Sequence, residues 1–313
     1  MPLTDTLQPG DLKSIGNLQL LARSVVDGLN TGLHRSPDKG ASVEFKQHRP
    51  YVPGDDLRNL DWKVFAKSDR FYIREYEEET NLRATILLDH SGSMRYTSQS
   101  GSAKAGAMSK HDYAVRLAAC LSYLIISQSD AAGLMTFDTK VTGYIPPRGK
   151  PGHVGVLLDE MQRLAPGGET DLGSVLRDAS PKIKRRGMVI LISDCFGDVT
   201  QTLRGLANFG RSAHDIMIFQ IWDRDELDFP FKRWHRFDSL ENPNDRHLLD
   251  PAQLRKAYLD KLDAFRKQLL AGCRKRRVDL VPVVTDQPYA EALAAYLSHR
   301  QYRGKGRSGG GRG

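Results

Sequence analysis

Asp89, Ser91 and Ser93 stand at positions i, i+2 and i+4 of the segment Asp89-His-Ser-Gly-Ser-Met94. A carboxylate and two hydroxyls at that spacing leave a loop together, and Gly92 lets the loop curl until the three oxygens converge. Hard oxygens of this kind suit Mg²⁺, Mn²⁺ or Ca²⁺ rather than zinc. Two further donors belong to the same chemistry. Gly167-Gly-Glu-Thr-Asp-Leu172 is a glycine-rich loop entering a helix, with Thr170 near the helix start, and Ile190-Leu-Ile-Ser-Asp194 is an apolar run ending in a carboxylate. If the runs before Asp89 and Asp194 are neighbouring strands, two carboxylates meet at one sheet edge, and a cation relieves their repulsion. Plainer roles exist for each: a polar capping turn for residues 89–93, and a helix N-cap for Thr170. His90 reads as a solvated turn residue and Cys195 as a small buried filler.

The elements that must position these groups alternate from residue 84 onward. Short apolar runs at Ala84–Leu88, Ala131–Phe137, Met188–Ser193, Asp215–Trp222 and Val278–Thr285 read as strands. Helical patterns lie between them: Tyr113–Gln128, apolar nearly all round, then Val154–Leu164 and Leu172–Ile183. Asp250-Pro251 opens another helix that Gly272 closes, and a last one starts near Pro288. This alternation predicts an α/β fold, a doubly wound and mostly parallel sheet covered on both faces. Ligands of such sheets sit at the carboxyl ends of the strands.

The first eighty residues read differently, as a small α+β region. A helix over Leu12–Leu29 carries Leu18, Leu21, Val25 and Leu29 on one stripe, and Ser42–Phe45 and Phe71–Glu75 are strand-like. Between the two strands, Pro53-Gly54 sets a turn and Asp56 is placed to cap a helix bearing Leu57, Leu60 and Val64. Arg49, Asp55, Asp56, Arg58, Asp61 and Trp62 read as an ion-pair and packing network, with a partner surface as the alternative. The expected division is 1–80 for this region, 81–300 for the α/β domain and 301–313 for a disordered Gly/Arg tail. The segment Arg95–Lys110, rich in Ser, Gly and Ala, reads as a mobile cationic flap over the metal edge.

The chain has 313 residues, 40% of them hydrophobic, enough for one large core. Lys and Arg number 46 against 38 Asp and Glu, a net +8. Arg300–Gly313 carries five of those basic residues and no acid, so the remainder is only 8 − 5 = +3. That balance argues against nucleic-acid binding by the body of the protein. Cys120, Cys195 and Cys273 are scattered without a CxxC pair, which fits a reducing compartment. No signal peptide is visible and no apolar run approaches the ~20 residues of a membrane span, so the expected location is cytoplasmic.

Asp89-x-Ser91-x-Ser93, followed by Thr170 and Asp194, resembles the metal-ion-dependent adhesion site of von Willebrand factor A domains, which have a Rossmann-like sheet. The stretch Arg49-Pro-Tyr-Val-Pro-Gly-Asp-Asp-Leu-Arg-Asn-Leu-Asp-Trp62 resembles the signature of a bacterial family called domain of unknown function fifty-eight. Together the likeness runs from about Ser36 to Arg300. It implies that Ser91, Ser93 and Thr170 touch the metal, Mg²⁺ first with Mn²⁺ or Ca²⁺ as alternatives, while Asp89 and Asp194 act partly through water. An ion so held accepts an Asp or Glu from a protein partner. Family members are often encoded beside MoxR-type AAA+ ATPases, so the resemblance implies an adaptor or assembly factor without catalysis of its own. Many relatives carry membrane helices before the signature; none is present here, and membrane attachment is not expected.

Two other functions compete. A metal-dependent hydrolase or phosphatase would need a second Asp two residues after Asp89, where Ser91 stands, or a Gly-x-Ser-x-Gly frame, which is missing. A nucleic-acid-associated protein would rely on the Gly/Arg tail, which gives weak, salt-sensitive binding.

Overall fold

The computed structural model describes residues 18–33, 45–51, 61–68, 70–76, 82–98, 108–168, 171–231, 235–238, 246–249 and 251–307. In chain order the elements are α1 (Leu18–Leu33), β1 (Phe45–Pro50), α2 (Trp62–Ser68), β2 (Tyr72–Tyr76), β3 (Arg83–Asp89), α3 (Lys110–Ser127), β4 (Ala131–Phe137) and β5 (Val141–Arg148). Then follow α4 (His153–Arg163), α5 (Leu172–Ala179), β6 (Met188–Ser193), α6 (Val199–Arg211), β7 (Asp215–Trp222) and α7 (Arg224–Asp228). The hairpin strands β8 (His235–Asp238) and β9 (Arg246–Leu249), α8 (Pro251–Lys275), β10 (Asp279–Val284) and α9 (Tyr289–Arg307) complete the chain.

Six strands form one sheet in the order β10-β7-β6-β3-β4-β5. All neighbours are parallel except β5, which returns antiparallel along β4. This is the doubly wound α/β arrangement expected from the alternating pattern. The sequence alternates across the sheet as strand geometry demands. Ile86, Leu88, Ile190, Ile192, Met217 and Phe219 face a core shared with α1, α3, α4 and α9. Leu87, Val189, Leu191, Ile216 and Ile218 face the opposite core, under α5, α6 and α8. Burial on both faces explains why these strands are continuous apolar runs. The edge strand β5 differs: its residues are mostly half-exposed, and Pro146 and Pro147 lie in it, where missing N–H groups do no harm.

The chain divides into two compact units, Leu33–Asn81 and the remainder. The small unit ends at Asn81, and α1, expected in the small region, belongs to the larger unit. Its stripe of Leu18, Leu21, Val25 and Leu29 is buried in the core of the larger unit. In the small unit β1 and β2 pair antiparallel, and Phe65 stacks on Phe71 at 4.4 Å. Its described helix begins at Trp62, with Asp61 as the cap: the Val64 N–H donates to Asp61 Oδ1 at 3.3 Å. Asp55, Asp56 and Arg58, and the side chain of Arg49, lie outside the described residues.

Two other boundaries differ from expectation. Gly272 does not close α8, which runs on to Lys275; a Cβ at 272 would lie 2.2 Å from Leu203 Cδ1, so the glycine serves the close approach of α8 to α6. Helix α9 extends to Arg307, into the segment expected to be without order. Among the described residues, no helix is long and apolar enough to cross a membrane.

Candidate functional site

In this sheet β3 continues to β4 on one side, while β6 lies on its other side, so the strand order reverses between β3 and β6. A crevice opens at the carboxyl ends of two such strands because their following loops diverge to opposite faces. The pairing of Leu88 with Ile192 places Asp89, the last residue of β3, and Asp194, just past the end of β6, at that point. Asp89 is buried, its Oδ1 accepting from the Ser91 N–H at 2.9 Å and its Oδ2 from the Ser193 hydroxyl at 2.6 Å. Ser91 Oγ and Ser93 Oγ lie 3.2 Å apart. Burial, and then the charge of Asp194, push the Asp89 carboxyl up to about 7. Hydrogen bonds from Ser193 and Ser91 pull the other way without overcoming them.

Asp194 is held from two sides. Its Oδ1 accepts the Phe196 N–H at 3.1 Å, and its Oδ2 accepts from Lys110 Nζ at 2.8 Å. The same ammonium reaches Glu226 Oε1 at 2.7 Å and lies 4.9 Å from the centre of the Phe196 ring. The Lys110 side chain is 1% exposed. Burial works against its charge, yet Asp194 and Glu226 hold its pKa above the ordinary lysine value. Glu226 is itself pushed up by burial, against the pull of Lys110 and of the Asp223 N–H. Lys110 is the first residue of α3, and Ser109 caps that helix by accepting the Asp112 N–H at 3.0 Å.

The loop that carries Thr170 is tied to the same edge. The Gly92 N–H donates to the Gly168 carbonyl at 2.8 Å, and the Gly167 N–H to the His90 carbonyl at 2.8 Å. Gly168 sits at φ +75°, where a side chain would be strained, so a glycine belongs there. Thr170 itself lies outside the described residues; Asp171, next in sequence, caps α5. His90 is not a solvated turn residue. It is buried, with Nε2 2.9 Å from Thr142 Oγ1 and Nδ1 3.3 Å from the Ala165 carbonyl, and it braces its own loop against strand β5 and the loop after α4. Cys195 is buried as expected, at φ +59°.

Of the five oxygen donors read from the sequence, Asp89, Ser91, Ser93 and Asp194 come together here. Sequence reasoning missed Ser193, whose hydroxyl donates to Asp89, and Lys110, whose ammonium bridges Asp194 and Glu226. It also placed Lys110 and Arg95 on a mobile flap. Lys110 is buried, and Arg95 Nε donates to the Pro166 carbonyl at 2.7 Å, so neither is a free flap charge; residues 99–107, with Lys104, lie outside the described residues. Among the described residues no group of three or more His, Cys, Asp or Glu side chains gathers into a cation cage. The donors are instead two carboxylates and hydroxyls, a set that fits a hard divalent cation.

Comparison with known proteins agrees with the signature. The uncharacterized protein Rv1480 of Mycobacterium tuberculosis is 24% identical over 294 residues, covering 92% of this chain and 89% of its own. Uncharacterized protein Mb1516 of Mycobacterium bovis matches to the same extent. Solved structures of similar fold include the conserved hypothetical protein BatB from Bacteroides thetaiotaomicron, with 12% identity, a TM-score of 0.43 and coverage of 70% of this chain and 98% of that one. The SpRpn10 VWA domain gives 16% identity, a TM-score of 0.39 and coverage of 68% and 94%. The family model described as "Protein of unknown function DUF58" matches residues 47–268, and the chain belongs to that family.

Proposed function

We propose that this chain is a metal-dependent protein-docking module. Asp89, Ser91 and Ser93, with Thr170 and Asp194, would hold a divalent cation, Mg²⁺ first. The observation that supports this most is the convergence of two buried strand-end carboxylates and two serine hydroxyls at the reversal point of the sheet, with Asp89 pushed up by burial and by Asp194. A bound cation supplies the missing positive charge and an open position for a carboxylate from outside. The residues of the chain orient and hold: Ser193 fixes one Asp89 oxygen, and Lys110 and the Phe196 N–H fix Asp194. Recruitment fits better than turnover. His90, the histidine nearest the serines in sequence, has both ring nitrogens engaged elsewhere, and the Ser91 hydroxyl lies against Ser93 Oγ and the Asp89 carboxyl rather than an imidazole.

The partner in this reading is the one the family resemblance implies, a MoxR-type AAA+ ATPase that presents an Asp or Glu. The test is calorimetric titration of Mg²⁺ and Mn²⁺ into the metal-free protein and into Asp89→Ala, followed by binding of a purified MoxR-type ATPase with and without chelator. The expected result is metal binding by the wild type alone and ATPase binding that chelator abolishes. Equal metal binding by the variant would overturn the site, and chelator-insensitive ATPase binding would overturn the role of the metal in docking.

A further inference from the structure

The end of the sheet opposite the metal edge carries a cleft of about 200 Å³. It lies where β3 begins and β5 ends: Arg83 opens β3, and the pairing of Arg148 with Ala132 returns β5 to the same edge. The stretch before β6 supplies another wall, with Lys182, Lys184 and Arg185. Strand β3 spans Arg83–Asp89, and at ~3.3 Å per residue its two ends lie roughly 20 Å apart, so the cleft is remote from the metal donors. Local sequence fixes the walls. Ile183 is buried between Lys182 and Lys184, and its carbonyl lies 3.1 Å from His214 Nε2, so the basic run is held in place. Gly187 lets that run pass close to β3, because a Cβ there would overlap the Arg83 carbonyl. The Arg83 guanidinium is set by its own bond, donating to the Pro147 carbonyl at 3.1 Å.

Four cations thus converge on a small space, and the lining holds no carboxylate. Among the described residues none of the four forms an ion pair. Two hydroxyls complete the lining. Thr85 is 1% exposed, and its hydroxyl has no hydrogen-bond partner among the described residues. A buried hydroxyl left without a partner costs stability, and a ligand oxygen removes that cost. Burial pushes the half-buried Tyr144 phenol up, against the charge of Arg83, so the phenol stays protonated and can donate. A carboxylate brings one charge and two oxygens to such a set. A phosphoryl group brings nearly two charges and three acceptor oxygens, enough to engage a fixed guanidinium, the neighbouring cations and the hydroxyls together. The volume is below the ~300–1,000 Å³ of sites for drug-sized ligands, so the cleft takes a charged headgroup rather than a whole large molecule.

We infer that this cleft binds a phosphomonoester, carried by a small molecule or by a phosphorylated side chain. Arg83 presents its guanidinium from one wall, Lys182, Lys184 and Arg185 neutralise the dianion from another, and the Thr85 hydroxyl donates from within. The site stands apart from the docking reading, because none of its residues belongs to the metal edge.

The experiment uses the full chain in EDTA at pH 7.5, so that its outcome does not depend on the metal. Phosphorus NMR titrations follow inorganic phosphate, glycerol 3-phosphate and acetyl-phosphoserine-amide, and proton NMR follows acetyl-aspartate-amide. The phosphates are expected to bind about tenfold more tightly than the single carboxylate, because a second charge meets the same four cations. The tighter of the two esters identifies the source, a free metabolite or a phosphorylated protein, and either order supports the site. Thr85→Val keeps the shape of the side chain and should weaken phosphate binding by about tenfold, the size of one hydrogen bond to a charged group. The double change Lys184→Ala and Arg185→Ala falls on exposed side chains and should erase the preference for phosphate over carboxylate. Lys140→Ala, an exposed cation between β4 and β5 at the other end of the sheet, should leave binding unchanged. Phosphate bound no more tightly than aspartate, indifference to either the Thr85 or the double change, or an equal loss in Lys140→Ala would each overturn the assignment.

Discussion

Replacing Lys110 with Met removes an ammonium and keeps most of the side-chain length. Lys110 Nζ lies 2.8 Å from Asp194 Oδ2 and 2.7 Å from Glu226 Oε1, with the lysine side chain 1% exposed and the acids 3% and 12% exposed. At an effective dielectric constant near 20, each contact contributes about 6 kcal/mol of Coulomb attraction. Against this stands the several kcal/mol that desolvation costs each ion, so the net effect is far smaller than the sum. Breaking a buried pair by removing one partner typically costs about 3–5 kcal/mol, because the surviving charge stays buried and uncompensated. With a urea m-value of about 3 kcal/mol/M, the unfolding midpoint of Lys110→Met should fall by about 1–1.7 M at pH 7.5. The deficit should shrink on acidification. Without the lysine, nothing on that side opposes the burial that pushes the Glu226 carboxyl up, so the folded variant binds more protons than the unfolded chain, and its stability falls as pH rises through that window. On the acid side of the window Glu226 is protonated and its share of the penalty is gone. Saturating Mg²⁺ should restore part of the loss at pH 7.5 and stabilise the variant more than the wild type. A midpoint unchanged at pH 7.5, or a deficit of the same size at pH 4.5, would show that charge compensation is not what Lys110 supplies.

Three further outcomes are expected. Asp89 has its folded pKa raised from the ordinary carboxylate value to about 7, so the metal-free native state holds an extra proton between about pH 4 and 7, and stability falls as pH rises across that window by at most about 4 kcal/mol. Asp89→Asn should remove this contribution, visible as a flatter dependence of urea stability on pH in EDTA; parallel curves for the two proteins would refute it. Gly205→Ala raises helix propensity in α6, but its Cβ would lie 2.7 Å from the Leu176 Cβ and 3.0 Å from the Gly173 carbonyl, so thermal unfolding should show a net loss of about 1–2 kcal/mol rather than a gain. Asp61→Ala removes the cap of α2 and should cost on the order of 1–2 kcal/mol in urea; an unchanged midpoint would mean that the cap is idle.

Five of the six strands of the large sheet were legible to within a residue at each end, because a run such as Met188–Ser193 buried on both faces admits few other readings. The sixth, β5, was not: Val141–Arg148 contains Gly143 and two prolines and is half-exposed, so it looks like a loop. Helix α6 was passed over because Gly205 and Gly210 interrupt its pattern, although Asp198 caps it firmly, accepting the Thr200 N–H at 2.7 Å. At the site, Asp89, Ser91, Ser93 and Asp194 could be read because spacing and strand ends are local properties. The partners that set their electrostatics could not. Lys110 follows a Ser- and Gly-rich stretch and looks like a solvated charge; what buries it is Asp194, 84 residues away, and Glu226, 116 residues away. Composition records neither contact.

That separation also fixes when the site comes into being as the chain is made. Ser193 meets Asp89 across 104 residues, and Glu226 meets Lys110 across 116. At roughly 5–20 residues per second of synthesis, Asp89 waits some 5–20 s before its partner strand leaves the ribosome. During that interval β3 has β4 on one side only, and its other edge stays open to pairing with any passing strand. Docking of β6 closes the edge and delivers Ser193 and Asp194 in one step. On the proposed reading, this step, taken before β7 and β10 complete the sheet, is the first moment at which the donors for a metal stand together, and a nascent chain that ends before Met188 cannot assemble them.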